Sequence, residues 1–265
     1  MTVIADRDRP TVRDVLAREL VSDIELLLFT RGHSQRSEDG QPAGLSCHET
    51  RELLDELVRL SDRIHLTVHD VDIDPATATR YNVNAVPTVI IRKHASPSND
   101  TTDSDDAAHS RGRAVADVSS MSDVHAAARA LESDANVRFV GLPGGFEFST
   151  LIADMVDISK GQTGLSERTV AAARAITTPV HLQVFVTPAC PYCPKAARIA
   201  HQLAMTNPLV LAEVIEANEF PALSERYRVQ TVPKTIINDQ IEFVGPLPEA
   251  KVLEAVLEAV SRRAE

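Results

Sequence analysis

Two stretches decide the fold: RYNVNAVPTVII, residues 80–91, and RYRVQTVPKTII, residues 226–237. Seven of their twelve positions are identical at an offset of 146 residues. Ordinary amino-acid usage would give about one match by chance. The same offset, without a gap, places Cys47 on Cys193. The sequence therefore predicts a tandem duplication.

Each copy has the same predicted order of elements. A buried strand, ELLLFT (residues 25–30) or LQVFVT (residues 182–187), precedes a helix with apolar residues at helical spacing. A second strand follows, and then a short helix, the Val-Pro strand, an edge strand and a closing amphipathic helix. The order is βαβ followed by ββα. It predicts an α/β protein of two tandem units, each a mixed sheet flanked by helices.

The first copy carries insertions that the second lacks. Surface loops are expected near residues 33–44 and 95–137, where polar residues and turn formers are frequent. Within the longer insertion, the alanine-rich residues 121–133 are typical of a short helix. We assign residues 1–160 to the first unit, residues 161–178 to a linker helix with Ser166 as its N-cap, and residues 179–265 to the second unit.

Composition and charge restrict the class of protein. The chain has 265 residues, of which 43% are hydrophobic and 25% charged, and this suits one large or two modest globular domains. Neither an apolar run of roughly 20 residues nor a signal-peptide core is found, so we expect a soluble cytoplasmic protein. The net charge of -11 argues against nucleic acid as a partner.

A cysteine pair, CPYC at residues 190–193, lies between the buried strand of the second unit and the next helix. The dipole of a helix start favours thiolate over thiol, which indicates Cys190 as the nucleophile. The i, i+3 spacing brings Cys193 to the same face, where it can close a disulfide and resolve a mixed disulfide. Pro191 suits the first helical positions, where its missing amide proton costs nothing.

Other side chains near the pair have expected roles. Tyr192 is expected to be exposed and to contact substrate. Lys195 and Arg198 are expected to add positive charge in the next turn, and His201 is interpreted as an ordinary surface residue.

The Val-Pro dipeptide is the second element of the predicted site. Because proline cannot donate to a strand ladder, a cis bond between Val232 and Pro233 is expected at this strand start, and Val86-Pro87 repeats it in the first copy. The Val232 backbone would then be free to pair with an extended substrate beside Cys190. The predicted substrate-binding residues are Pro191, Tyr192, Thr231, Val232 and Pro233.

A zinc site would need two more ligands, and no second Cys-x-x-Cys or similar histidine group accompanies the pair. We therefore expect no metal and no bound cofactor, the redox-active group being the Cys190-Cys193 disulfide. The sequence has no GxGxxG nucleotide fingerprint, so electrons must come from a separate donor.

The order strand, CPYC, helix, TVP, strand, glycine, helix resembles the thioredoxin superfamily. The tandem form, with FVGLPGGFEF (residues 139–148) and VFVTPACPYCP (residues 184–194), resembles the glutaredoxin-like protein disulfide oxidoreductases of archaea and thermophilic bacteria. A similar pair of fused folds, with only the second active, forms the N-terminal domain of the flavoprotein component of alkyl hydroperoxide reductase. The resemblance implies dithiol–disulfide exchange, with Cys190 attacking, Cys193 resolving and Pro233 in cis.

The sequence departs from this pattern in two places. GLSC, residues 44–47, aligns with CPYC, so the first unit lacks a nucleophile and is expected to be a scaffold or docking surface. Cys47 is then expected to be a buried helix residue, with a mixed-disulfide or sensor role as the alternative. The buried acid usual in thioredoxins has no counterpart, because Val184 stands six residues before Cys190. Any proton relay must come from water or elsewhere.

The predicted function is reduction of protein disulfides through Cys190 and Cys193. The expected partners are a thioredoxin-reductase-like flavoprotein as donor and protein disulfide clients, a peroxiredoxin among them. One alternative is a glutaredoxin that uses glutathione or carries an iron–sulfur cluster, although VGPLPEAKVLEAV, residues 244–256, lacks the GG-x-D type of glutathione signature. Another is a non-catalytic redox adaptor or chaperone.

Overall fold

The computed structural model describes residues 3–32, 45–94 and 135–262. Within these ranges the helices are α1 (Arg9–Glu19), α2 (Leu45–Leu60), α3 (Pro75–Arg80), α4 (Glu147–Lys160), α5 (Glu167–Arg174), α6 (Cys193–Thr206), α7 (Pro221–Arg226) and α8 (Glu249–Arg262). The strands are β1 (Ile24–Thr30), β2 (Ile64–Asp70), β3 (Thr88–Lys93), β4 (Val137–Val140), β5 (Val180–Val186), β6 (Val210–Glu216), β7 (Lys234–Ile237) and β8 (Ile241–Val244). The loop predicted near residues 33–44, most of the insertion near 95–137 and the helix predicted at 121–133 lie outside the described residues.

The strands form one continuous sheet in the order β2-β1-β3-β4-β6-β5-β7-β8. In the first copy β1 is parallel to β2 and antiparallel to β3, and β3 is antiparallel to β4. The second copy repeats this pattern with β5, β6, β7 and β8. The structure thus confirms the predicted α/β fold of two tandem mixed sheets.

The expectation that each copy has an edge strand in this position is wrong for the first copy. β4 pairs in parallel with β6, with Phe139 opposite Val214, and this pairing merges the two sheets. All four residues of β4 are buried, whereas β8, its counterpart at the true edge, alternates between half-buried and exposed. Arg138, opposite Glu213 in the register, is fully buried with a guanidinium nitrogen 3.8 Å from the carboxylate. A shared sheet does not show where one unit ends and the next begins. The boundaries at residues 160 and 179 therefore stay predictions.

The strands alternate their side chains between two apolar layers, as the pleat of a sheet requires. In β1, Leu26 and Leu28 face the main core, while Leu27 and Phe29 face a smaller cluster on the opposite side with Tyr81. The main core also includes buried residues of α1, α2, α4, α6 and α8. A third cluster, around Phe185 of β5, packs beneath α7.

Two helices precede the first strands of the two copies, α1 before β1 and α5 before β5. The linker helix α5 has Ser166 as its N-cap, whose hydroxyl accepts a hydrogen bond from the Thr169 amide at 3.3 Å, as predicted. α1 was not predicted. It buries Val12 and Leu16, and five of its eleven residues are charged. Among the described residues, none of the helices has both the length and the apolar character needed to cross a membrane.

Candidate active site

The cysteine pair lies in the loop that joins β5 to α6. The Cys190 amide donates to the Thr187 carbonyl at 3.1 Å, and the Cys193 amide donates to the Cys190 carbonyl at 3.4 Å. The helix begins at Cys193, with Pro194 in its first turn. The placement of Pro191 in the first helical positions is therefore wrong. Pro191 belongs to the turn before the helix, and Pro194 takes the place where the lost amide proton costs nothing.

The two thiols have unequal environments. Both cysteines are free; Cys190 is 9% exposed and Cys193 is fully buried. Burial, together with a hydrogen bond involving Cys190, raises the pKa of the Cys193 thiol far above its ordinary value. Since the thiolate is the attacking species, Cys193 is held protonated while Cys190 is the thiol that a substrate can reach. This asymmetry supports the predicted division between a nucleophile and a resolving cysteine.

The Val-Pro loop lies against the nucleophile. The Val232-Pro233 bond is cis, and so is Val86-Pro87. The Cys190 thiol donates to the Val232 carbonyl, with 3.8 Å between sulfur and oxygen. Thr231 is exposed, Val232 is half-buried and Pro233 is buried. The structure therefore brings the Val-Pro element next to Cys190 across 42 residues of sequence.

The exposed side of the loop is formed by Pro191 and Tyr192. Tyr192 is 67% exposed, as predicted from its position between the cysteines. Arg198 was expected to add positive charge near the cysteine pair. Its guanidinium instead forms ion pairs with the carboxylates of Asp154 and Asp157 on α4. Lys195, in contrast, is exposed in the first turn of α6, where its charge was expected.

The first unit contacts the active-site loop directly. The Phe146 amide, just before α4, donates to the Pro188 carbonyl at 3.0 Å. Gly145 has a φ of +59°, and a Cβ there would lie 2.1 Å from the same carbonyl oxygen. Only glycine permits this close approach without strain. The start of α4 is thus fitted against the loop two residues before Cys190.

This contact brings in an acid that the sequence analysis missed. Glu147, the first residue of α4, is 2% exposed, and the effect of its burial outweighs that of the Thr150 hydroxyl, which lowers its pKa. Burial raises its pKa to about 7, and its charge is among the causes that raise the pKa of Cys193. A signal was present in the sequence: Glu147 shares a helix face with Leu151 and Met155, so an acid occupies a core position.

The interpretation of His201 as a surface residue is wrong. His201 is fully buried between α6 and α4, where its Nδ1 is 2.6 Å from an Asp154 carboxylate oxygen. Its Nε2 donates to the Arg138 carbonyl at 3.0 Å. The single-helix pattern could not show this, because the partner residues come from the first unit. Cys47, by contrast, is a buried residue of α2, as predicted.

Within the described residues no cluster of three or more histidine, cysteine or acidic side chains is arranged to hold a metal ion. The site is therefore described by its dithiol, its cis-proline loop and the Glu147 carboxylate.

Comparison with known proteins gives the family of the second unit. A thioredoxin-domain family model matches residues 180–258. The thioredoxin of Methanocaldococcus jannaschii is 35% identical over 85 residues, which are 32% of this chain and 95% of that protein. The chain belongs to the thioredoxin family. Its dithiol site and these thioredoxin relatives support thiol–disulfide oxidoreductase activity.

Likeness to a solved structure extends the thioredoxin-family fold over nearly the whole chain. A protein disulfide oxidoreductase from Aeropyrum pernix covers 97% of this chain and 94% of its own, with a TM-score of 0.74 and 24% identity. At this identity the likeness shows the fold.

A further relative is a component of the alkyl hydroperoxide reductase of Pseudomonas putida, 22% identical over 134 residues. The match includes 50% of this chain but only 26% of that protein, so the chain spans about a quarter of the relative's length.

Proposed function

We propose that the chain is a dithiol reductase of protein disulfides that acts through Cys190 and Cys193. The observation that carries the proposal is the asymmetry of the two thiols. Cys190 keeps 9% of its surface exposed beside the cis Val232-Pro233 loop, and Cys193 is fully buried behind it with a raised pKa. A reductase needs this arrangement, because the outer sulfur must reach the client and the inner one must stay protonated until a mixed disulfide forms.

The reaction proceeds in two exchanges. The Cys190 thiolate attacks one sulfur of the client disulfide, and the first client thiol leaves with a proton. Cys193 then loses its proton and attacks the Cys190 sulfur, which forms the Cys190-Cys193 disulfide and releases the second client thiol. Two electrons pass to the client, and the disulfide must be reduced again before the next cycle.

Glu147 is the proposed acceptor of the Cys193 proton. A general base works best when its pKa lies near the operating pH, and burial holds the pKa of Glu147 at about 7. Because Glu147 belongs to the first unit, the unit without a nucleophile completes the site of the second.

The donor and the client are proposed by chemical class. We propose a thioredoxin-reductase-like flavoprotein as donor, with no cofactor bound to this chain, and a peroxiredoxin among the clients. The similarity of half of the chain to a component of alkyl hydroperoxide reductase supports a place in peroxide-linked electron transfer. A dithiol reductase must be kept reduced, and the cytoplasm is a compartment that keeps thiols reduced. We therefore propose the cytoplasm as its location.

Insulin reduction with dithiothreitol as donor tests the proposal. The wild type and Cys47→Ser should accelerate precipitation of the insulin chains, and Cys190→Ser should not. A wild type no faster than dithiothreitol alone would refute the reductase. Client binding by Cys190→Ser without any turnover in the wild type would instead favour an adaptor. Activity with glutathione but not with dithiothreitol, or visible absorption after anaerobic purification, would favour a glutaredoxin.

A further inference from the structure

Phe146 is an exposed aromatic residue in an unusual place. Phe146 is 47% exposed immediately before the first residue of α4, although α4 packs against the main core. Among the described residues, Phe146 and Tyr192 are the aromatic residues that combine high exposure with a position at the redox loop. Exposed aromatic side chains are a common feature of binding sites, because they offer large apolar area with little conformational freedom to lose.

The position of Phe146 relative to the nucleophile is tightly held. Its amide donates to Pro188 at 3.0 Å, and the preceding Gly145 touches the same carbonyl so closely that no Cβ fits. Pro188 is two residues from Cys190. The side chain of Phe146 therefore emerges from a backbone that is fixed to the active-site loop itself.

The residues that directly flank Cys190 are uncharged, and the exposed Lys195 lies further along, in the first turn of α6. The exposed or half-buried residues that directly flank Cys190 in the loop and in the Val-Pro turn are uncharged: Ala189, Pro191, Tyr192, Thr231 and Val232. This is notable in a chain of net charge -11. At the positions directly beside Cys190, an uncharged rim with two aromatic residues favours an apolar group over a charged one, because a charged side chain there would lose hydration without gaining a partner.

We propose that Phe146 is a specificity-determining residue that selects clients with an apolar side chain next to the reactive cysteine. The client segment lies extended along the Val232 backbone, its sulfur at Cys190, and its apolar neighbour packs against Phe146 and Tyr192. The first unit thus contributes substrate recognition to the site of the second. The inference rests on the proposed reductase function.

Two disulfide-linked peptides test it, identical except for leucine or aspartate beside the cysteine. The wild type should reduce the leucine peptide with a kcat/KM about tenfold higher, which corresponds to about 1.4 kcal/mol. Phe146→Ala should remove most of that preference by raising KM for the leucine peptide, with Phe146→Leu restoring part of it. Ile73→Ala is the matched control, because Ile73 is 83% exposed in the turn after the edge strand β2. It should keep the preference.

A second measurement separates this inference from the proposed function. Binding of the same two peptides in reduced form is followed by fluorescence anisotropy with Cys190→Ser, with and without Phe146→Ala. A preference for leucine that depends on Phe146 supports the inference even if the wild type shows no turnover. If Phe146→Ala lowers kcat equally for both peptides, Phe146 only supports the loop and the proposal is overturned. A preference that Phe146→Ala leaves unchanged in both assays would also overturn it.

Discussion

Glu147 and Cys193 come from different copies of the repeat, yet the charge of Glu147 adds to burial and to the hydrogen bond with Cys190 in raising the pKa of the Cys193 thiol. The relationship depends on the contact of Gly145 and Phe146 with Pro188, which seats the start of α4 against the redox loop. A unit that lacks a cysteine pair of its own therefore has a chemical role. The predictions below test that role and the packing that creates it.

Replacing Glu147 by glutamine should slow the second exchange. Without a carboxylate to accept the Cys193 proton, kcat for insulin reduction should fall about a hundredfold, the lower range for loss of a general base. The wild-type pH profile should show an inflection near 7, where burial places the pKa of Glu147. The glutamine variant should lack it. A profile that keeps this inflection in the variant would assign the titration to another group.

The same substitution should raise stability at alkaline pH. The pKa of Glu147 rises from 4.5 to about 7 on folding. Ionising the buried carboxylate therefore costs the folded state about 3 kcal/mol above pH 7. That cost is absent below pH 4.5, where the carboxyl is protonated in both states. It grows between pH 4.5 and about 7 and is constant above that. Glu147→Gln should be more stable than the wild type at pH 8 and equal to it near pH 4, as measured by urea unfolding.

Glu167→Gln serves as the control for both experiments with Glu147. Glu167 is also the first residue of a helix, but it is exposed. Its replacement should change stability by less than about 0.5 kcal/mol at either pH. If the two glutamine variants behave alike, burial of Glu147 has no energetic effect and its role as a base is refuted.

Replacing Gly145 by alanine should disturb the contact between the units. The new Cβ would overlap the Pro188 carbonyl, so the loop or the helix start must move, and both stability and kcat should fall. Gly161→Ala provides a matched control at the other end of α4. Gly161 also has a positive φ, of +63°, but a Cβ there would meet only the Lys93 ammonium at 3.3 Å.

The control should cost only the backbone strain of about 1 kcal/mol and leave the dithiol reaction intact. Equal effects of the two alanines on kcat would show that the close approach of Gly145 is not required.

Removing the charge of Asp154 should destabilise the helix pair α4 and α6. Its fully buried carboxylate contacts His201 and Arg198, so Asp154→Asn leaves buried polar groups without their partner. Loss of one member of such a buried pair costs about 3–5 kcal/mol. Asp157→Asn, at the more exposed end of the same network, should cost about 1 kcal/mol or less. Guanidinium unfolding of both variants measures the difference.

Cys193→Ser should trap the intermediate of the reaction. Because no resolving thiol remains, the variant should accumulate a mixed disulfide between Cys190 and a disulfide-containing peptide, detectable as an added mass under non-reducing conditions. Cys190→Ser should form no such adduct. An adduct on Cys47 in either variant would contradict its burial at 2% exposure.

Features that depend on local pattern could be predicted from the sequence. The repeat of RYxVxxVPxxII established the duplication, hydrophobic periodicity established the order of strands and helices, and the spacing of Cys190 and Cys193 established the dithiol. Each of these arises from geometry within a few residues of chain, such as the helical repeat or the position of a proline before a strand. That is why they could be predicted without a view of the packed molecule.

How the two units complete one another depends on long-range packing, which the sequence pattern does not show. The β4–β6 pairing turned a predicted edge strand into an interior one, the burial of His201 depended on Asp154 of another helix, and Glu147 reached Cys193 across 46 residues. The hydrophobic periodicity of one helix or strand shows which of its faces is buried, but it does not show which residues cover that face. The identity of the covering residue depends on which surfaces of the two units meet, and that choice follows from packing over the whole fold.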